Sequence, residues 1–337
     1  MVLPEMADGG HAEVAFFQDD ETGLECIVAI YDADRQPAVG GTRMYEYASE
    51  GEALEDALRL SKAMAYKTAA AGFDEGGGKG VILGDPATDK DEALLRAYGR
   101  VVDGMRGSFH TGVDMNITTE DVSVMGTETS YVGGTEGGRL AERTARSVVA
   151  GMRACLREQY GTTSFDGVKV LVQGLGKVGA PLAEQLVDRG CEVAVADLDE
   201  RRVDELTARH DVAVIDPDAV YDEPCDVFAP CATGAVVNDR TVPRLQCDIV
   251  AGSANNVLAE DRHAAALEER GILYAPDFVV NAGGLIAGLG GTLGLSDAEI
   301  DARIDDIETR LEEIFERRDR EDVSTAVAAN RYAEDRM

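Results

Sequence analysis

At 337 residues the chain is too long for one small core and fits two domains of ordinary size, and its apolar share of 45% is enough to build both. A net charge of −32, from 64 acidic against 32 basic residues, repels DNA, RNA and anionic lipid, which disfavours nucleic-acid and membrane-surface roles. No apolar run reaches the ~18 residues of a membrane span, and the N-terminal MVLPEMADGGHAEV lacks the basic-then-apolar pattern of a signal peptide, so a soluble cytoplasmic protein is expected. The acids are spread among apolar residues along the whole chain, the pattern of a folded protein adapted to high salt, where screening tolerates self-repulsion. Six cysteines without a C-x-x-C pair, and histidines only at 11, 110, 210 and 263, indicate neither a disulfide framework nor a metal site.

In chain order, CIVAIYD (26–32) reads as a strand. Ser49 and Glu52 form a capping-box pattern ahead of a helix with Leu54, Ala57, Leu58 and Met64 on one face. AAGFDEGGGKGVILGD then reads as a glycine-rich loop running into a short strand, and Gly133–Gly138 (GGTEGG) is the most linker-like stretch of the middle. A helix carrying Val148, Val149, Met152, Cys155 and Leu156 follows. After it come a strand at 168–173, a helix at 177–189, a strand at 191–197 and a helix at 200–209. Short apolar runs at 225–229, 247–252 and 272–275 supply further buried strands, and this alternation implies a parallel sheet covered on both faces. Ser296 and Glu299 repeat the capping pattern before Ile300, Ile304, Ile307, Leu311 and Ile314, a stripe best read as packing on its own domain rather than on another subunit.

The strand at 168–173 runs directly into Gly174–Leu175–Gly176–Lys177–Val178–Gly179 and then a helix. The first glycine permits the tight turn, the second lets backbone approach a pyrophosphate, and the third lets helix pack on strand. Asp197 ends the next strand, 23 positions after Gly174. A carboxylate there accepts hydrogen bonds from the adenosine ribose and repels a 2′-phosphate, which selects NAD over NADP.

Two of only six lysines, Lys67 and Lys79, lie 12 residues apart. In a chain that otherwise uses arginine for positive charge, these positions read equally as a helix-cap and a loop lysine or as ammonium groups that can be desolvated and shed a proton near neutral pH. The stretches GGTRMYEYAS (40–49), LRLSKAMAYKTAAAG (58–72), GGGKGVILGDP (76–86), TGVDMN (111–116), VLVQGLGKVG (170–179), CDVFAPCATG (225–234), AGSANN (251–256) and GILYAPDFVVNAGGLI (271–286) together resemble the glutamate/leucine/phenylalanine/valine dehydrogenase family, nearest to its leucine, valine and phenylalanine members.

The resemblance implies an α/β protein of two domains. One is a substrate and oligomerisation domain with an α/β core (1–140 and about 310–337), and the other a Rossmann-type doubly wound NAD-binding domain (141–309). It implies that Lys67, helped by Asn255, holds the substrate α-carboxylate, that Lys79 activates water and that Asp114 shuttles the amino-group proton. Gly40 offers a backbone carbonyl to the amine, and Thr144 and Asn255 orient the nicotinamide. The sequence before Thr144, GGTEGGRLAERT, departs from the serine- or proline-bearing loop usual there.

By the same mapping Val39, Gly112, Leu285 and Gly288 line the side-chain pocket. Val39 stands where glutamate-specific relatives carry a lysine, and burying an unpaired carboxylate costs several kcal/mol, so an apolar amino acid and its 2-oxo acid are the expected partners. The family usually forms homo-oligomers. A 2-hydroxy acid dehydrogenase would want a histidine in the motifs, and only His110 adjoins one. A silent NAD-binding protein would have no use for Lys67, Lys79 and Asp114 together.

Overall fold

The computed structural model describes residues 2–133 and 137–337; residues 134–136, within the expected linker, lie outside them. The chain divides into two compact units, Met1–Gly137 with Gly288–Gly294 and Ala333–Met337, and Gly138–Ala287 with Leu295–Tyr332.

The first unit begins with α1 (Val2–Gly9) and is built on a six-stranded sheet of β1 (Glu13–Asp19), β2 (Leu24–Ile30), β3 (Ala38–Val39), β4 (Thr42–Tyr45), β5 (Gly76–Leu83) and β6 (Phe109–His110). Its helices are α2 (Glu50–Ala70), α3 (Glu92–Gly104) and α4 (Thr119–Met125). The β1–β2 hairpin is antiparallel, and β2 runs antiparallel to β5. Along the other edge of β5 lie first β3 and then β4, both parallel to it. Alternation along β2 sends Ile27 and Ala29 to a cluster with Leu54, Ala57 and Leu58 of α2, and Val28 and Ile30 to the opposite core with Leu94, Tyr98 and Val122. Ser49 caps α2 by accepting the Glu52 N–H at 3.2 Å, while the Glu52 carboxylate takes the Ala48 N–H, one residue before the expected capping-box partner.

The glycine run expected as a loop is instead the central strand β5, buried along nearly its whole length. The reason is space. A Cβ at Gly77 would strike the α2 backbone at Ser61 and Ala65, one at Gly78 would meet the Phe109 ring, and one at Gly80 would overlap Tyr98 and Thr42. Glycine weakens an average strand, but here it lets a helix approach the sheet more closely than any side chain would allow.

The second unit opens with α5 (Gly137–Tyr160) and holds β7 (Lys169–Gln173), α6 (Gly179–Val187), β8 (Glu192–Ala196), α7 (Glu200–Thr207), β9 (Ala213–Val214), β10 (Val227–Pro230), β11 (Ile249–Val250), α8 (Arg262–Glu268) and β12 (Leu273–Tyr274). All neighbouring strands are parallel, in the order β12-β11-β10-β7-β8-β9. Read in the sheet's own chain order this is the doubly wound Rossmann arrangement, whose direction reverses between β7 and β10 and opens the ligand crevice at their carboxyl ends.

The chain continues through α9 (Asp277–Val280), α10 (Gly283–Thr292), α11 (Asp297–Asp305), α12 (Ile307–Glu321) and α13 (Thr325–Glu334). The isoleucine–leucine stripe is buried within this one chain, from Ile300 at 3% to Ile304, Ile307, Leu311 and Ile314 at 0% exposure. It is divided between α11 and α12 at Asp306. Residues 310–332, expected with the substrate domain, count with the second unit, and only Ala333–Met337 return to the first. The cause is packing: Gly151 of α5 leaves room for Leu311, and Arg153 and Arg157 of α5 pair with Glu308 of α12 at 3.0 and 2.8 Å. Among the described residues no helix is long and apolar enough to cross a membrane.

Candidate active site

In the first unit, β3 and β4 are two stretches of one extended segment interrupted at Gly40–Gly41. A Cβ at Gly41 would collide with the Val113 carbonyl and crowd Asp114, so glycine lets the loop after β6 close onto this interruption. Thr42 N–H donates to Gly112 O at 2.9 Å and Met44 N–H to Met115 O at 3.2 Å, which lays the 112–115 loop along β4. Opposite, Thr42 pairs with Gly80 and Arg43 with Val81 of β5. Asp114 is thereby set between Arg43 on β4 and Lys79 on β5.

Lys79 Nζ lies 2.7 Å from Asp114 Oδ2, and the Arg43 Nε–H donates to the same oxygen at 2.8 Å. The Lys79 side chain is only 6% exposed, that of Asp114 26%. Burial pushes the Lys79 ammonium below the usual lysine range, with the neighbouring Asp114 opposing and Arg43 assisting that shift. Burial alone would raise Asp114, but the charges of Lys79 and Arg43 override it and hold the carboxyl at about 2. Lys79 is therefore easier to deprotonate than an ordinary lysine, while Asp114 stays anionic.

Lys67 lies in the last turn of α2, one turn beyond Met64, whose Cγ would stand 3.4 Å from a Cβ at Gly40. A Cβ at Gly40 would also overlap the Gly78 carbonyl oxygen, so Gly40, the Lys67 end of α2 and the Lys79 strand converge. Val39, 6% exposed, is paired with Gly77 and His110. Gly112 is partly buried beside Gly133.

In the second unit two glycines of the fingerprint turn, Gly174 and Gly179, answer steric demands. Gly174 has φ +97°, which an L side chain rarely adopts, and Gly176 has open space where a Cβ would be. A Cβ at Gly179 would overlap the Gly174 carbonyl. The N-cap of α6, Val178, offers no side-chain cap; Ala180 N–H donates to Gly176 O at 3.2 Å and Pro181 has no N–H, so phosphate oxygens would be met by N–H groups of the turn itself. Asp197 accepts the Leu175 N–H at 2.6 Å through Oδ2 and the Asp199 N–H at 2.8 Å through Oδ1. Lys177 is exposed at the turn. This donor set and acid fit a dinucleotide pyrophosphate and ribose.

Thr144 lies on α5, its hydroxyl donating to Leu140 O at 2.8 Å and facing Gly284. Leu285 follows on α10 and is partly buried, and Gly288 belongs to the short segment counted with the first unit. Asn255 Oδ1 accepts from Asn281 Nδ2 at 2.7 Å. Asn281, 4% exposed, also donates to Ser253 O at 3.2 Å, and this anchor lay unremarked inside the VVNAGG stretch. Also missed was the support behind Arg43, in which Asp56 of α2 takes its Nη1 at 2.8 Å and the Tyr47 hydroxyl at 2.7 Å. The clustered carboxylates of Asp239 and Glu260 beside His263 are already paired with Arg262 at 2.7 and 3.0 Å.

An all-parallel doubly wound sheet with this glycine turn and acid, carried on one chain with a buried lysine–aspartate pair, defines a dinucleotide-dependent oxidoreductase. Residues 11–136 match the family model described as Glu/Leu/Phe/Val dehydrogenase, dimerisation domain, and residues 192–336 match Glutamate/Leucine/Phenylalanine/Valine dehydrogenase. The chain belongs to this family. It is 42% identical over 332 residues to a leucine dehydrogenase of Thermoactinomyces intermedius, covering 97% of this chain and 91% of that one. A phenylalanine dehydrogenase of the same organism is 43% identical over 338 residues, covering 97% and 92%. The crystal structure of an L-tryptophan dehydrogenase from Nostoc punctiforme superposes with a TM-score of 0.90 at 39% identity, covering 100% of this chain and 98% of that one.

Proposed function

We propose that the protein is an NAD-dependent L-amino acid dehydrogenase that reversibly converts an apolar amino acid, water and NAD to the 2-oxo acid, ammonium and NADH. The observation that carries this reading is the Lys79–Asp114 pair, 2.7 Å apart, with the Lys79 side chain only 6% exposed. NAD, when bound, accepts the hydride from the substrate Cα. The ammonium of Lys67, helped by Asn255, holds the substrate carboxylate. Asp114 takes a proton from the substrate ammonium, and the Gly40 carbonyl receives an N–H of the amine. Neutral Lys79 removes a proton from the water that adds to the iminium carbon. Thr144 and Asn255 orient the nicotinamide ring, and Asp197 selects NAD.

Val39, Gly112, Leu285 and Gly288 are the residues assigned to the substrate side chain, and Val39 stands where a glutamate-specific site would need a lysine. The relatives act on leucine and on phenylalanine at nearly equal identity, in keeping with a pocket that takes apolar side chains of different size. The matched dimerisation-domain description supports a homo-oligomer. Six free cysteines suit a reducing cytoplasm, and the net charge of −32 suits high salt. The test is NADH or NADPH formation in high salt from L-leucine, L-valine, L-phenylalanine and L-glutamate. Turnover of the apolar substrates with NAD is expected, and turnover of glutamate alone would overturn the reading.

A further inference from the structure

The family motif absorbs Lys79 and Asp114 but leaves Arg43, Asp56 and Tyr47 without a task, although they form a chain of partly buried polar contacts ending on the Asp114 carboxylate. Arg43 is 15% exposed and Asp56 16%. Two guanidinium nitrogens of Arg43 bridge two carboxylates, Nε to Asp114 Oδ2 and Nη1 to Asp56 Oδ2, both at 2.8 Å. Asp56 is fixed in turn by the Tyr47 hydroxyl at 2.7 Å and by Arg59 at 2.7 Å on its other oxygen. Both cations on Asp114 meet Oδ2, and no described residue donates to Oδ1.

We infer that Arg43, anchored by Asp56, is a positioning residue that ties down Asp114 Oδ2 beside Lys79 and leaves Oδ1 free for the substrate amino group. This rests on the roles proposed for Lys79 and Asp114. A planar guanidinium suits the task because it can satisfy two carboxylates at once in fixed directions, which an ammonium cannot. The groups facing Lys79 are Asp114 from the loop, Arg43 from β4 and Asp56 from α2, with Tyr47 and Arg59 behind them. The two new members act on Lys79 with opposite sign: Arg43 disfavours its protonated form and Asp56 favours it.

That opposition supplies a test that a merely structural role would not pass. In the deamination direction kcat/KM rises with pH as Lys79 loses its proton. Arg43→Gln should move this limb up by about one unit and lower kcat/KM at neutral pH about tenfold. Asp56→Asn should move the limb down while lowering kcat, because Arg43 loses its anchor. Arg43→Lys should keep the limb near its wild-type position with reduced kcat, and it serves as the folded comparison if the glutamine variant does not fold. Limbs unmoved in Arg43→Gln and Asp56→Asn, or moved in the same direction by both, would overturn the role of Arg43. Asp114→Asn separates this from the functional reading: wild-type turnover there would remove the function assigned to the pair, whatever Arg43 does.

Discussion

Two sets of ion pairs in this molecule look alike on paper and differ in what surrounds them. Along the second unit, Arg139, Arg143, Arg146, Arg153 and Arg157 of α5 face Asp297, Asp301, Asp305 and Glu308 of α11 and α12. Most of these side chains are at least a third exposed, Arg139 and Asp297 by 50% and 64%. In the first unit a smaller group, Lys79, Asp114, Arg43 and Asp56, lies between a glycine strand, a helix and a loop, with exposures of 6–26%. Water screens the ladder, so it contributes little per pair and its loss is tolerable. Desolvation in the buried group lets one charge set the proton affinity of the next, and that coupling makes chemistry available.

The largest effect that could break this contrast is at Asp114. Asp114→Asn should lower kcat by about 10²–10⁴ with NAD binding intact, measured by steady-state kinetics and dinucleotide fluorescence titration. Next is the strand that holds the group. Gly77→Ala puts a methyl against the α2 backbone and should cost about 1–3 kcal/mol of stability, read by denaturant unfolding. At the cofactor turn, Asp197→Asn keeps an acceptor but removes the charge, and the preference for NAD over NADP in Kd should fall about tenfold. Smallest, Arg146→Ala in the ladder should cost ~0.2–1 kcal/mol at low salt and nothing measurable in molar salt, by thermal unfolding in both conditions.

The same two regions differ in how far the sequence discloses them. The cofactor turn is legible because strand, Gly174–Gly179 and helix are contiguous, and Gly174 and Gly179 answer local demands. Asp197 follows at the end of the neighbouring parallel strand. The buried group is legible only in part. Lys79 and Asp114 stand out through lysine scarcity and family motifs, but Arg43 and Asp56 meet only once β4 has paired with β5 and α2 has settled on the sheet. The glycine run around Lys79 reads as a loop by local preference, because what favours a strand there is the approach of α2 and Tyr98 from elsewhere in the chain. The final helices show the same limit: their apolar stripe is visible as a buried face, while its attachment to α5 depends on the room that Gly151 leaves.

The most direct test of the central claim, that the buried Lys79–Asp114 pair is the reacting centre, is NADH formation from an apolar L-amino acid by Lys79→Ala, alongside its NAD affinity and unfolding midpoint. The account predicts loss of turnover with NAD affinity unchanged and the fold retained. Turnover at the wild-type rate in that variant would contradict it.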